Sequence, residues 1–221
     1  MSEKVEIKQV TNVTHDVRQF RLEKPQGFDF EPGQATSVRV DKDGWREEER
    51  PFTFTSLPDW DDLEFTIKVY PDHHGVTEQV GQLQSGDALL IDEPWGTIQY
   101  RGPGTFIAGG AGVTPFIAIL RALAADDNLD GHRLIFSNKT EADIILRDEF
   151  DAMSNLAKTY VLTKEQKAQF GYGRIDERFL EENISDFSQH FYVCGPEKMV
   201  ANINEALEGL GAKPDSLVFE K

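Results

Sequence analysis

Arg50-Pro51-Phe52-Thr53-Phe54-Thr55-Ser56 sets a guanidinium, a ring and several hydroxyls on one short, strand-like segment. On a strand, Arg50 and Phe52 share a face. A planar guanidinium fork suits a pyrophosphate, and an aromatic side chain suits packing against the edge of a flat ring system. Thr53 points to the opposite face of an ideal strand, so the chain must twist or bulge there for its hydroxyl to reach the same ligand. Taken alone, the segment is equally an ordinary strand with a surface arginine.

A second segment, Ile67-Lys68-Val69-Tyr70, leads to His73-His74-Gly75-Val76-Thr77. Gly75 permits close backbone approach, and a helix expected to start at Thr77 offers free N–H groups to a phosphate. The adjacent histidines have no third ligand at a suitable spacing, which argues against a metal.

Gly109-Gly110-Ala111-Gly112-Val113-Thr114-Pro115 falls between an expected strand and an expected helix. That is where a dinucleotide pyrophosphate binds in open α/β sheets. Counted from Gly110, Pro115 stands where a G-x-G-x-x-G pattern has its third glycine. Thr114 is then expected as N-cap, with Pro115 at the first helical position. Ser137-Asn138-Lys139 ends the next strand, the position that meets an adenosine ribose. Ser137 and Lys139 suit a 2′-phosphate or simply bound a loop, so NADH and NADPH both stay open. Cys194-Gly195-Pro196 ends a later strand, and its tight turn is expected to expose Cys194 at the carboxyl edge of the sheet. Single cysteines are as often just small buried residues.

The elements that must position these groups divide in two. Residues 1–100 read as short β segments (Val5–Ile7, Val17–Leu22, Thr36–Val40, Phe52–Thr55, Leu63–Tyr70) separated by turns such as Pro32-Gly33 and Asp43-Gly44. The expected product is an antiparallel barrel interrupted by one helix over 77–83. Residues 101–221 alternate strands and helices: strands at 105–108, 133–136, 159–162, 190–193 and 216–219, helices at 115–124, 147–156 and 197–210. That rhythm predicts a parallel sheet covered on both faces. The break falls in 96–103, at Gly102-Pro103-Gly104.

The formal charge is −16, with 39 acidic and 23 basic side chains, which argues against a nucleic-acid partner. The longest apolar run, Phe116–Leu120, is too short to cross a bilayer, and no signal peptide is expected at the start. One cysteine, Cys194, excludes an internal disulfide and an iron–sulfur cluster held by four cysteines of this chain. A cytoplasmic location is the expectation.

Together these segments resemble the ferredoxin–NADP reductase superfamily over nearly the whole chain. Arg50-Pro51-Phe52-Thr53 is similar to its Arg-x-Tyr-Ser/Thr flavin motif, Ile67–Val69 and Gly75-Val76-Thr77 to its other flavin segments, and Gly109–Pro115 and Cys194-Gly195-Pro196 to its nucleotide motifs. The resemblance implies a Greek-key antiparallel barrel holding FAD (1–100), followed by an α/β domain holding NADPH or NADH (101–221). It implies that Arg50 binds pyrophosphate, Phe52 meets the flavin, the Thr53 hydroxyl bonds flavin N5, and Cys194 sits beside the nicotinamide. Pro51, Lys68, Gly110, Gly112 and Thr114 come with these motifs as cofactor contacts. Phe52 replaces the usual tyrosine, which removes one hydroxyl contact. The tail Leu217–Lys221 lacks a terminal tyrosine and is closer to bacterial members, in which an aromatic and an acid, here Phe219 and Glu220, lie near the flavin. The implied activity is transfer from NAD(P)H to FAD and then, by single electrons, to a separate acceptor: a ferredoxin, a flavodoxin or a haem protein. Two other readings stand beside it: an electron-conduit subunit active only within a larger complex, and a flavin-binding sensor that never turns over.

Overall fold

The computed structural model describes residues 2–96 and 98–213 and the backbone of 217–219. By its contacts the chain forms two units, one of residues 1–97 with 114–122, the other of residues 98–113 with 123–221.

The first unit is an antiparallel barrel. Its strands are β1 (Glu3–Asn12), β2 (Val17–Glu23), β3 (Gln34–Val40), β4 (Glu49–Thr53), β5 (Asp62–Lys68) and β6 (Ala88–Ile91), in the Greek-key order β4-β3-β6-β1-β2-β5. A two-residue strand β7 (Trp95–Gly96) adds to β3. The ring closes where the chain leaves β4: Phe54 bridges Phe65 of β5, and the Thr55 amide donates to the Glu64 carbonyl at 2.8 Å. Inward-facing Val5, Ile7, Phe20, Leu22, Val38, Phe54, Phe65 and Leu89 are all fully buried. Phe54 stacks on Phe30 and Phe65 with ring centroids 4.4 and 5.1 Å away. Each such ring contributes about 1.5–3 kcal/mol by leaving water. Strand β6 carries no alternation that would announce it, because Ala88-Leu89-Leu90-Ile91 is a continuous apolar run. The helix expected over 77–83 is shorter, α1 (Val76–Val80), and starts one residue earlier.

The second unit is a parallel sheet of β8 (Gly104–Gly109), β9 (Arg133–Asn138), β10 (Ala157–Leu162), β11 (Gly171–Tyr172), β12 (His190–Cys194) and β13 (Leu217–Phe219), ordered β11-β10-β9-β8-β12-β13. Every residue of β8 is buried, as a central strand covered on both faces requires. Ile107, Ile135, Val161, Phe191 and Val193 pack with Leu180 of α4 (Glu177–Asn183) and with Val200, Ile203 and Leu207 of α5 (Glu197–Gly209). The remaining helices are α2 (Thr114–Ala125) and α3 (Arg147–Ala152). Helix α3 stops well short of the expected 156, and α4 was not foreseen.

The segment entering β8 is pinned inside this unit by Tyr192. Its phenol donates to the Gly102 carbonyl at 2.8 Å and accepts from the Arg101 amide at 2.9 Å. Burial pushes that phenol up, so it stays a neutral donor. Tyr100 stacks on Tyr192 and meets His132 Nε2 at 2.8 Å, so 100–102 run along the aromatic start of the sheet.

Candidate functional site

In the barrel, strand β4 keeps regular register with β3 from Glu49 to Thr53, opposite Arg39 to Ala35. Of the twist or bulge expected at Thr53, regular pairing leaves no bulge. The turn-away comes one residue later, where Phe54 changes partner from β3 to β5. Arg50 and Pro51 are exposed, Phe52 is half-buried against the barrel core, and Thr53 is buried at 7% exposure. The Arg50 guanidinium donates to the Glu49 carbonyl at 2.6 Å. Among the described residues it has no carboxylate partner, although acids far outnumber bases. The Thr53 hydroxyl likewise has no side-chain hydrogen bond among the described residues.

Ile67 is buried in the barrel core. The Lys68 ammonium is already committed: it pairs with Asp16 at 2.6 Å and stands 6.0 Å over the Tyr70 ring. The Val69 amide donates to the Asp16 carbonyl at 2.8 Å. Helix α1 packs hard on Val69. A Cβ on Gly81 at its C-terminus would fall inside contact distance of a Val69 methyl. Gly75 is the N-cap of α1 and supplies no side chain to the first-turn amides of Val76 and Thr77. Arg50 is the stronger of these anion-facing features, since α1 is short. His73 stacks on Tyr70 with centroids 5.0 Å apart, consistent with a loop histidine in a ring contact.

In the second unit the chain runs outward from β8 through β9 and β10 to β11, then returns to the other side of β8 as β12. The carboxyl ends of β8 and β12 thus flank the point where strand order reverses, where nucleotides bind in open sheets. They lie side by side, Ala108 opposite Cys194. Gly110–Val113 forms a 3₁₀ turn running straight into α2, so Thr114 is the first residue of the helix rather than a cap outside it. Small residues at 110–112 let the turn tighten without an extended cap residue. Gly110 has φ +53°, and a Cβ built on it would meet nothing within 4 Å. Gly112 is the opposite case. A Cβ there would stand 2.5 Å from the Cys194 carbonyl carbon and the Gly195 nitrogen. The glycine turn therefore rests directly on the Cys194–Gly195 peptide.

Cys194 sits at the carboxyl end of β12 as expected, but its side chain is 4% exposed rather than open. Pro196 is the N-cap of α5 and gives its first turn no side-chain partner. At the end of β9, Ser137 is half-buried and Lys139 exposed. Between them Asn138 is 5% exposed, with both polar side-chain atoms lacking a partner. Just beyond, Thr140 and Asp143 bond each other reciprocally around a short 3₁₀ turn, and Glu141 bridges Arg147 and Lys167. The Thr140-x-x-Asp143 spacing was a readable capping signal. Nothing local in the sequence foretold the Lys167 contact, 26 residues from Glu141. Of the tail, Glu220 lies outside the described residues, and Phe219 is described only as the backbone end of β13.

Lys167 and then Arg147 hold the Glu141 carboxyl below its usual range, and the Glu141 amide and then Lys167 do the same for Glu165. A depressed carboxylate stabilises the fold above its unfolded pKa, and that contribution is lost as pH falls through the folded value. The expected result is stability that is level above the ordinary carboxylate range and declines below it. Urea midpoints in Glu141→Gln should fall less steeply with acid than in wild type. Parallel pH profiles would contradict this.

Two family models match the chain. The oxidoreductase FAD-binding domain covers residues 4–100 and the oxidoreductase NAD-binding domain covers residues 106–205. The chain belongs to the ferredoxin–NADP reductase superfamily. It is 30% identical to the nitrate reductase [NAD(P)H] of Hordeum vulgare, over 94% of this chain but 28% of that protein. It is 27% identical to the reductase component of the propane 2-monooxygenase of Mycolicibacterium goodii, over 98% of this chain and 66% of that one. Its fold matches a ferredoxin NADP+ reductase from Neisseria gonorrhoeae with bound FAD and NADP, at TM-score 0.82 and 21% identity, covering 95% and 92% of the two chains. The chain thus spans under a third of the length of the nitrate reductases it matches.

As a member of this superfamily the chain is an FAD- and NAD(P)-binding oxidoreductase domain. Its own residues fit the two cofactors. An exposed Arg50 without a carboxylate partner suits a pyrophosphate. The open side of Gly110 lies at the sheet's switch point, the position at which nucleotides bind in open α/β sheets. Among the described residues no helix is long and apolar enough to cross a membrane.

Proposed function

We propose that this chain is the reductase module of an electron-transfer system, drawing on NADPH or NADH and serving a separate one-electron centre. The observation that carries the reading is the pairing in one chain of an FAD-binding family model over 4–100 and an NAD-binding family model over 106–205, and the exposed Arg50 and the open side of Gly110 support it. Residues 1–100 seat FAD and 101–221 seat the nicotinamide nucleotide. When bound, the flavin supplies a ring that accepts a pair of electrons from NAD(P)H and releases them singly.

The chain's own residues bind and orient. Arg50 neutralises the FAD pyrophosphate, with the Val76 and Thr77 amides after Gly75 adding donors. Pro51 and Phe52 lie along the flavin, which Ile67, Lys68 and Val69 support from the neighbouring strand. The unpartnered hydroxyl of Thr53 is held by strand β4 for flavin N5. Gly110, Gly112 and Thr114 carry the nucleotide's pyrophosphate, and Ser137 and Lys139 its ribose end. Cys194, with Gly195 and Pro196, borders the nicotinamide. Positioning of this kind supplies most of what a protein adds to a cofactor-borne transfer.

The acceptor is a ferredoxin, a flavodoxin, a haem protein or an oxygenase. The printed names of the relatives support this class: nitrate reductases, and reductase components of oxygenase systems. The single cysteine leaves no four-cysteine cluster in this chain to receive the electrons. The short span on the nitrate reductases favours a second reading, a module that turns over only beside its partner domain.

The test is anaerobic stopped-flow mixing of flavin-loaded protein with NADH and NADPH in parallel, followed by an artificial acceptor. Bleaching of the flavin by one or both nucleotides and turnover with the acceptor are expected. Bleaching without turnover selects the second reading, and no bleaching with either nucleotide defeats both.

A further inference from the structure

One buried ion pair lies outside both seats. Glu64 of β5 is 5% exposed, and Thr55 and Ser56 beside it are fully buried. The Thr55 hydroxyl donates to Glu64 Oε1 at 2.8 Å and meets the Thr66 hydroxyl at 3.2 Å, while Ser56 Oγ accepts the Glu64 amide at 3.0 Å. Into this cluster α2 sends Arg121. Its guanidinium donates to the Thr55 carbonyl at 2.5 Å and to Glu64 Oε1 at 2.6 Å, and lies 5.2 Å over the Trp60 ring. Residues 114–122 of α2 belong by their contacts to the barrel unit.

The location is specific. Thr55 is two residues beyond Thr53, and Thr66 directly precedes Ile67. The cluster therefore sits at the barrel seam, where β4 hands over to β5 through one bridge and side chains stand in for a ladder. The helix gripped there begins at Thr114, the end of the glycine turn, seven residues and about 10 Å of helix before Arg121. A buried charge pair is weak evidence of stability, since apolar side chains of similar volume serve as well. What it adds is direction. A guanidinium whose Nη1 donates to two oxygens and whose carbon lies over an indole restrains the rotation of its helix more directionally than an apolar contact does.

We propose that Arg121 is a positioning residue for the nucleotide loop. By gripping the Glu64–Thr55 seam it sets the orientation of α2 on the barrel, and so the presentation of the loop that ends at Thr114. Affinity for the nicotinamide nucleotide depends on this grip, and retention of FAD does not. The inference rests on the cofactor seats given under Proposed function.

The test uses flavin-loaded protein and the unreactive probes NAD+ and NADP+, titrated calorimetrically, with flavin content and thermal midpoint recorded alongside. Three proteins are compared: wild type, Arg121→Lys, and the double variant Arg121→Leu with Glu64→Leu, which removes both charges together. The expected double variant keeps its flavin and its midpoint but binds its nucleotide about tenfold more weakly, with Arg121→Lys in between. Nucleotide affinity within about twofold of wild type overturns the proposal, as does flavin and nucleotide lost together, the mark of a merely structural pair. If the double variant does not fold, Arg121→Lys decides alone: weaker nucleotide binding with flavin unchanged supports the proposal, and unchanged binding overturns it. Wild type that binds neither nucleotide overturns the cofactor reading and this proposal together, whereas tight wild-type binding with unaltered variants removes only the role of Arg121.

Discussion

Gly112→Ala is expected to abolish most nucleotide recognition in a protein that still holds its flavin. The added methyl would stand 2.5 Å from the Cys194 carbonyl carbon and from the Gly195 nitrogen, so it meets backbone that no rotamer change can clear. Relief requires the ends of β8 and β12 to separate, and these two ends form the proposed nucleotide seat. Overpacking of this kind costs about 1–3 kcal/mol. If that cost falls on the seat, it corresponds to roughly a 5- to 150-fold rise in Kd for the nucleotide. The barrel core lies in the other unit and has no part in the clash. Flavin content should therefore hold while nucleotide titrations weaken and flavin reduction slows at fixed NAD(P)H. Gly110→Ala provides the contrast. Its methyl meets no protein atom, but φ +53° makes a non-glycine residue costly there, and the methyl enters the space proposed for the pyrophosphate. Gly110→Ala should weaken the nucleotide with a modest fall in thermal midpoint from the strained φ, whereas Gly112→Ala, whose methyl meets backbone, lowers the midpoint further. Two variants that bind nucleotide as wild type does would remove these glycines from the seat.

The contrast between those glycines marks what the sequence could and could not convey. A glycine turn between a strand and a helix was legible at once, since only a few residue types punctuate a chain that way. Which glycine faces open space and which bears on the backbone of β12 was not, because Cys194 and Gly195 are more than eighty residues away. A separation of 57 residues likewise hid the Glu64–Arg121 pair, which no local spacing announces. Alternation of apolar and polar side chains exposed β2, β3 and β5, although in β5 the polar Glu64 and Thr66 are themselves buried. It missed β6, whose Ala88-Leu89-Leu90-Ile91 run carries no period. Thr53 is the instructive middle case. Strand geometry required some departure for Arg50, Phe52 and Thr53 to serve one ligand. Pairing instead stays regular through Thr53, and the exchange of strand partners falls at Phe54, where the barrel closes, a long-range event recorded in no five-residue window. Burial of Cys194 belongs to the same class: its place on the sheet edge followed from the motif, while its 4% exposure depends on what packs over it.

Arg50→Ala should cost the protein its flavin and little else. The Arg50 side chain is exposed, donates to the neighbouring Glu49 carbonyl, and has no carboxylate partner among the described residues. Its removal takes nothing from the barrel core, so the flavin-free variant should melt with the flavin-free wild type. Toward a pyrophosphate the loss is larger, because a charge-assisted, forked hydrogen bond contributes about 1.5–3 kcal/mol. That range corresponds to roughly a 10- to 150-fold rise in Kd for FAD. Arg50→Lys should fall between, keeping the charge while losing the planar fork. Salt provides an independent reading. Attraction between an exposed cation and a diphosphate is screened within about 10 Å at 0.1 M ionic strength. Added salt should therefore weaken FAD binding more in wild type and Arg50→Lys than in Arg50→Ala. Fluorescence titration of flavin-free protein with FAD at two salt concentrations measures both effects together. Equal FAD affinity in wild type and Arg50→Ala would move the pyrophosphate away from β4. Equal salt slopes despite a weakened Arg50→Ala would mean that the side chain acts through packing of its stem rather than through its charge.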